Sequence, residues 1–292
     1  MPIELSWLVD HSVSTFRAAE AVAAGLQLAD AELAGALAEP TAALRSCLSA
    51  AAVPERSFWQ HVVPQSAGID SNRELANVVL TKAFGMHQEV LTLSVAGHLA
   101  DLDAAVRELR PDLTETVSGN SSRIRSAWDS QGAVLLDEVG RFTEERLLVG
   151  SAKVLLSYPA LGGAGAAHLL YNCTSIEVAA IDPSTDLPEV LRLVWLLSQL
   201  NMDVPVLSET VRRDRLPKVA SLSMLPPALV AAEQMHLASF NEQSLRQAIE
   251  QWAPQLGAAE SLSDTVWQWW HTYLGSRPAW NVGVGALDQM LD

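Results

Sequence analysis

A short polar segment in the middle of the chain holds residue types that could perform covalent chemistry. His168 is followed by Tyr171, Asn172 and Cys173, and Glu177 lies four residues further on. A cysteine thiol beside a histidine can become an activated nucleophile. A single cysteine with a nearby histidine is more commonly structural. An enzyme that uses His168, Cys173 or Glu177 is therefore one alternative for this chain.

Positive charge is concentrated at one place in an acidic chain. The cationic residues there are Arg212, Arg213, Arg215 and Lys218. Such a group can bind an anionic ligand, or it can pair with acidic neighbours, which is the commoner outcome for surface charges. The sequence predicts a candidate anion-binding site at these four residues and leaves both outcomes open.

Motifs for metals and cofactors are missing from the sequence. The segment GGAGAAH, residues 162–168, has GxG spacing after a β-prone run, but His168 replaces a third glycine and no helix follows. We interpret it as a hairpin turn, because a dinucleotide loop needs a strand, a glycine turn and a helix together. The histidines form no pair three or four residues apart, and Cys47 and Cys173 have no metal-ligand spacing. We therefore predict no metal site and no cofactor.

The segment LPEVLRLVWLLSQLNMD, residues 187–203, has the pattern of a buried helix with a polar stripe. The stripe and its margin comprise Glu189, Arg192, Leu196, Gln199 and Trp195. Glu189 and Arg192 are three residues apart, a spacing at which opposite charges on a helix can pair. An ordinary core helix explains this pattern without any chemistry.

The elements around this helix resemble the layout of zincin-type metallopeptidases of the gluzincin kind. A strand, a glycine-rich turn, a second strand and the acidic loop IDPSTDLPE lead into the helix over residues 150–203. In such enzymes an edge strand precedes an HExxH helix. Alignment on that helix puts Trp195 and Gln199 at the two histidines and Leu196 at the catalytic glutamate.

These three residues exclude zinc-dependent hydrolysis at the helix of residues 187–201. Zinc needs nitrogen, oxygen or sulfur ligands, and hydrolysis needs a base to act with the bound water. The indole of Trp195 can only donate a hydrogen bond, and Leu196 has no polar side-chain atom. The resemblance therefore implies a zinc-less relative that keeps a groove beside an edge strand. The residues predicted to mark this groove are Trp195, Gln199, Arg192, Glu189, His168, Tyr171 and Asn172.

Helical periodicity dominates the rest of the sequence. Alanine-rich and amphipathic helical segments, with breaks predicted near Gly25 and at Pro40, surround the two β-prone runs KVLLSYP and TSIEVAAI. The predicted fold is α+β and predominantly α-helical, with helices around a small antiparallel sheet or hairpin at about residues 152–180. A turn-rich segment predicts two domains, a helical domain of residues 1–115 and an α+β domain of residues 116–292.

Composition excludes several classes of protein. The chain has 292 residues, of which 49% are hydrophobic, so it can bury a sizeable core. Its formal charge of −15 argues against nucleic acid as a partner, because phosphate binding needs a basic surface. No secretory signal and no membrane-spanning run is found. We predict a soluble cytoplasmic protein without nucleic-acid or membrane partners, and the sequence does not set its oligomeric state.

Three functional hypotheses follow. The preferred one is a non-catalytic protein that binds a peptide or protein partner, with an exposed strand edge beside the helix of residues 187–201 receiving the partner by strand addition. The second is the enzyme described above. The third is a helical assembly or scaffold subunit that uses the aromatic residues Trp267, Trp269, Trp270, His271 and Tyr273.

Overall fold

A computed structural model describes residues 3–85, 88–180 and 186–291. Within these ranges the chain forms four strands and fourteen α-helices. The strands are β1 (Glu4–Val9), β2 (Ser151–Ser157), β3 (Gly165–His168) and β4 (Cys173–Glu177). The helices are α1 (His11–Ala23), α2 (Ala31–Ala50), α3 (Glu55–Ser66), α4 (Asn72–Phe84), α5 (Glu89–Leu109), α6 (Leu113–Ala127), α7 (Ala133–Phe142), α8 (Glu189–Ser198), α9 (Pro205–Ser208), α10 (Leu216–Ser223), α11 (Leu225–Gln234), α12 (Glu242–Trp252), α13 (Ala259–Ser276) and α14 (Trp280–Met290).

The predicted fold class, α+β and predominantly helical, is confirmed. The sheet itself is mixed rather than purely antiparallel, with strand order β1-β2-β4-β3. The predicted hairpin is wrong, because its two β-prone runs form β2 and β4, and these strands are parallel. β1 is also parallel to β2, and the antiparallel partner of β4 is β3, which lies in the segment predicted as the turn. β1 comes from residues that gave no strand prediction, because pairing with a strand almost 150 residues away leaves no local signal.

The predicted helix break at Pro40 is wrong. Pro40 lies inside α2, which continues to Ala50. A proline removes one hydrogen bond from a helix interior and crowds the preceding turn. Leu37 and Leu44, on either side of it, are both buried in the core. Burial of this apolar stripe offsets the local cost, since packing supplies most of the stability of helices in proteins. The predicted break near Gly25 is present, because α1 ends at Ala23.

Helices cover both faces of the sheet. On one face α1 packs through Val13 against Leu155 and Cys173. On the other face α8 lies so close to β3 that a Cβ atom on Gly165 would be 2.7 Å from Leu196 Cδ1. Side chains alternate between the two faces of a strand, so Ala166 and His168 point to the α1 side.

One hydrophobic core runs through both halves of the described chain, from Phe16 in α1 to Leu287 in α14. β1, from the first half, completes a sheet whose other strands lie in the second half. The proposed division at residue 115 stays a prediction. Within the described residues, none of the helices has the length and apolar character needed to cross a membrane.

Candidate functional site

The outer edge of β3 is the structural centre of the candidate site. β3 is the last strand of the sheet and pairs only with β4. The Glu177 N–H donates to Ala164 O at 3.0 Å, and hydrogen-bonded pairs alternate along an antiparallel ladder. Ala166 and His168 therefore bond to β4, and the N–H and C=O groups of Gly165 and Ala167 point away from it. Among the described residues, these outward groups have no hydrogen-bond partner.

One cleft of about 530 Å³ opens along this edge, and we call it the Trp195 cleft. β3 lines it with residues 165–168. The remaining lining residues include Arg17 and Glu20 from α1, Glu55, Arg56, Trp59 and Gln60 from α3, Trp195 from α8 with the following Gln199, and Pro217, Lys218 and Ser221 from α10. The cleft thus combines an open strand edge, aromatic rings and charged side chains.

A second cleft of about 470 Å³, the Tyr171 cleft, adjoins the first. Both are lined by Gln60, Ala167, His168 and Pro217, so they meet at the C-terminal end of β3. The residues found only in the Tyr171 cleft include Leu169, Leu170, Tyr171, Asp203, Ser208, Arg213 and Leu216. Together the two clefts follow the whole of β3 and the turn after it.

Helix α8 is held beside β3 by hydrogen bonds as well as by packing. The indole Nε1 of Trp195 donates to Ser221 O at 2.8 Å, which ties α8 to α10. The Gln199 amide donates to Trp195 O at 2.9 Å. Both side chains are almost fully buried, so they form the inner wall of the Trp195 cleft. Leu196 packs closely against β3, since a Cβ atom on Gly165 would lie 2.7 Å from Leu196 Cδ1.

Glu189 and Arg192 lie elsewhere, in a buried ion-pair network at the start of α8. The predicted pair is present, with Arg192 Nη2 2.9 Å from Glu189 Oε1. Arg192 also donates to the carbonyl oxygens of Gly163 and Glu177, and Arg123 donates to Glu189 at 2.9 Å. These bonds fasten α8 to the end of β4 and to the glycine-rich turn. Neither Glu189 nor Arg192 lines the two clefts.

The Glu177 carboxylate organises the turn that leads into β3. It accepts hydrogen bonds from the backbone N–H groups of Leu161, Gly163 and Ala164 at 2.9–3.1 Å. Burial raises the pKa of this carboxyl above its ordinary value, although the N–H donors and the charge of Arg17 act in the opposite direction. The buried side chain of Glu177 therefore stabilises this turn through its hydrogen bonds.

His168 and Cys173 have environments that oppose nucleophilic chemistry. Burial, with the nearby charge of Arg17, lowers the pKa of His168 to about 3, so its ring is neutral at pH 7. Its Nε2 atom lies 3.0 Å from Ser175 Oγ, and the Ser175 side chain is buried. Burial raises the pKa of the Cys173 thiol to about 12, which keeps it protonated next to Val13. A protonated thiol is a poor nucleophile.

The side chains of Tyr171 and Asn172, which follow β3, have different surroundings. The Tyr171 hydroxyl is hydrogen-bonded to His61 Nδ1 in α3, and its ring lines the Tyr171 cleft. Asn172 has a left-handed backbone with φ of 47°, and its amide donates to Ser151 O at 2.8 Å. Asn172 thus closes the turn before β4 and lies outside both clefts.

The four residues of the predicted anion-binding site do not converge on one place. Arg212 pairs with Asp214 at 2.7 Å, and Arg215 pairs with Asp288 at 2.6 Å. Arg213 lines the Tyr171 cleft, whereas Lys218 lines the Trp195 cleft. These charges are close in sequence, but in the structure they lie in two ion pairs and two different clefts.

The aromatic block of α13 is mostly interior. Trp269 and Trp270 are buried, and Trp269 donates from Nε1 to Gly283 O at 2.7 Å. Tyr273 stacks on both rings, and only Trp267 and His271 of this block lie nearer the surface. An assembly surface, as the scaffold hypothesis requires, would need residues other than the two buried tryptophans.

Several residues of the clefts were missed by the sequence analysis. Arg17, Arg56 and Trp59 belong to α1 and α3, more than 100 residues before β3, and no motif links them to it. The acidic loop IDPSTDLPE lies partly outside the described residues, since 181–185 are not among them. Within the described part of the chain, no group of three or more histidine, cysteine, aspartate or glutamate side chains could hold a metal ion.

Comparisons of the chain with protein-family models, with curated proteins and with solved structures find no match.

Proposed function

We propose that this chain is a non-catalytic binding protein that receives an extended peptide segment by strand addition to β3. The observation that carries the proposal is the unpaired outer edge of β3, where Gly165 and Ala167 present backbone groups to two adjoining clefts. A peptide placed there would continue the ladder with backbone hydrogen bonds, while its alternating side chains enter the space on either side.

The shape of the site supports this mode of binding. The edge strand stands beside α8, which is the arrangement that the peptide-binding hypothesis requires, and Gln199 and Trp195 form the wall behind it. The order of edge strand and helix also supports a proposed kinship with zinc peptidases in which Trp195 and Leu196 replaced the reactive residues. The low pKa of His168 and the high pKa of Cys173 favour binding over catalysis at this place.

Selection and substitution test the proposal together. A displayed library of random peptides would be selected against the protein, and the binders would be measured by fluorescence anisotropy. Ala167→Pro removes the outward N–H, and proline is tolerated at edge positions whose N–H faces outward. We expect this variant to stay folded by circular dichroism and to lose at least about tenfold in affinity, since one backbone hydrogen bond and the close approach are both lost.

A matched control comes from the peptide. N-methylation of every second amide should abolish binding in one register and leave it nearly unchanged in the other, because only alternate amides of an added strand face β3. Binders that tolerate Ala167→Pro, and that tolerate N-methylation in both registers, would contradict strand addition.

A further inference from the structure

In the Trp195 cleft the acidic side chains are paired with arginines, whereas two of the basic side chains have no partner among the described residues. Of its acidic residues, Glu20 is bound to Arg17 at 2.5 Å, and Glu55 is bound to Arg45, which lies outside the lining, at 3.0 Å. Both carboxylates are therefore already neutralised. Ion pairs of this kind leave little negative potential for a ligand to meet.

Two cations of the same cleft are unmatched. Arg56 is exposed on α3 and Lys218 is half-buried on α10, and neither forms an ion pair or a hydrogen bond with any residue of the described chain. They stand on elements that flank β3. A chain with a formal charge of −15 thus exposes two unpaired cations beside its open strand edge.

The start of α10 adds to this positive character. Leu216 and Pro217, the first residues of the eight-residue helix, line the clefts, and the cap position before them makes no side-chain hydrogen bond to the helix. The N-terminus of a helix carries partial positive charge that favours nearby anions. Lys218 lies in this first turn and lines the Trp195 cleft together with Pro217.

We infer that the peptide bound at β3 is acidic, with carboxylate side chains that pair with Lys218 and Arg56. This inference rests on the proposed strand addition and specifies the chemistry of its ligand. Alternate side chains of an added strand point to the two faces of the sheet. Arg56 lies on α3 and Lys218 on α10, so carboxylates next to each other on the added strand can reach the two cations.

Long-range repulsion between an acidic peptide and this acidic protein does not remove the preference. The Debye length is about 8 Å at physiological ionic strength, so distant surface carboxylates are largely screened. Groups within contact distance of the peptide are screened much less. The two unpaired cations therefore decide the sign of the charge that the cleft accepts.

The test uses three fluorescein-labelled peptides of equal length at physiological salt, named Glu-Val, Gln-Val and Lys-Val after their repeats Glu-Glu-Val-Val, Gln-Gln-Val-Val and Lys-Lys-Val-Val. Each repeat has two neighbouring polar residues, which point to opposite faces of an added strand. We expect the Glu-Val peptide to bind about tenfold more tightly than the Lys-Val peptide. The variants Lys218→Glu and Arg56→Glu should each weaken Glu-Val binding by about fivefold, near the upper range for partly exposed ion pairs. Lys153→Glu is the matched control, because Lys153 is exposed on β2 away from the clefts and changes the net charge equally.

The outcomes separate the two proposals. Binding that depends on Ala167 but favours Gln-Val or Lys-Val, or a Lys153→Glu effect as large as that of Lys218→Glu, overturns the acidic ligand and leaves strand addition standing. If none of the three peptides binds in an Ala167-dependent way, strand addition fails, and the acidic ligand fails with it.

Discussion

The close approach of α8 to β3 makes Gly165 a sensitive position. An alanine there would place its Cβ 2.7 Å from Leu196 Cδ1 and 3.2 Å from Ser175 O, whereas carbon atoms pack at about 3.5–4.0 Å. Leu196 is fully buried, so its side chain has little room to turn aside. Overpacking of this kind costs about 1–3 kcal/mol, and the lower entropy of the unfolded alanine chain returns about 0.4–1 kcal/mol.

We therefore expect Gly165→Ala to lower the free energy of unfolding by about 1–2 kcal/mol. Leu196→Ala alone should cost about 2–5 kcal/mol, because it leaves a cavity beneath β3. In the double variant the new methyl group of residue 165 occupies part of that cavity. The two changes should then cost at least about 1 kcal/mol less together than the sum of their separate effects.

Urea denaturation followed by tryptophan fluorescence measures these free energies, since the chain has nine tryptophans. Gly97→Ala is the matched control. Gly97 lies within α5, and a Cβ there would meet nothing within 4 Å, so alanine should stabilise the protein by up to about 1 kcal/mol. A Gly165→Ala protein as stable as the parent, or strict additivity with Leu196→Ala, would refute the contact between α8 and β3.

Three further outcomes follow from the interior polar groups. Glu177→Gln should lower the free energy of unfolding by about 2 kcal/mol, because an amide NH2 would face backbone N–H donors, whereas Glu4→Gln at an exposed site should change it little. His168, with a pKa of about 3 when folded and 6.5 when exposed, takes up its proton first in the unfolded chain. The neutral His168 ring therefore contributes its full stabilisation above pH 6.5, and this contribution falls as the pH is lowered towards 3. At pH 5 the free energy of unfolding should be lower by up to about 2 kcal/mol. Urea titrations at pH 7.5 and pH 5 should show a smaller loss in His168→Gln, and an equal loss in both proteins would contradict this assignment. Iodoacetamide at pH 8 should modify Cys47, which is half-exposed, and leave Cys173 protected in the native protein, as intact-mass measurement would show. Equal modification of both thiols would show that Cys173 is accessible.

Local patterns were sufficient to predict most helices. The apolar spacing of residues 187–203 correctly predicted a buried helix, and the pairing of Glu189 with Arg192 followed from their spacing on it. The two β-prone runs were likewise predicted as strands, and they form β2 and β4. These features depend on residues close in sequence, where periodicity and turn propensity act directly.

Other features depended on contacts between distant segments. β1 pairs with β2 across about 145 residues of chain, and Pro40 is accommodated because the leucines around it are buried. The basic residues of 212–218 are close in sequence and were predicted as one site. In the structure Arg212 and Arg215 pair with acidic residues, and Lys218 lines the Trp195 cleft. The pairing of Arg215 with Asp288 and the position of Lys218 in a cleft depend on distant segments, so they cannot be inferred from the local sequence.

The sequence by itself determined that this chain folds as a helical protein with a small sheet, and that Trp195, Leu196 and Gln199 cannot support zinc hydrolysis, since residue chemistry alone decides which atoms can bind a metal. The tertiary structure decided that β3 is an edge strand and that its outer side opens into clefts built partly from α1 and α3. It also lowers the pKa of His168 and raises the pKa of the Cys173 thiol, because a pKa responds to burial and to nearby charge, and both arise only when distant segments pack together.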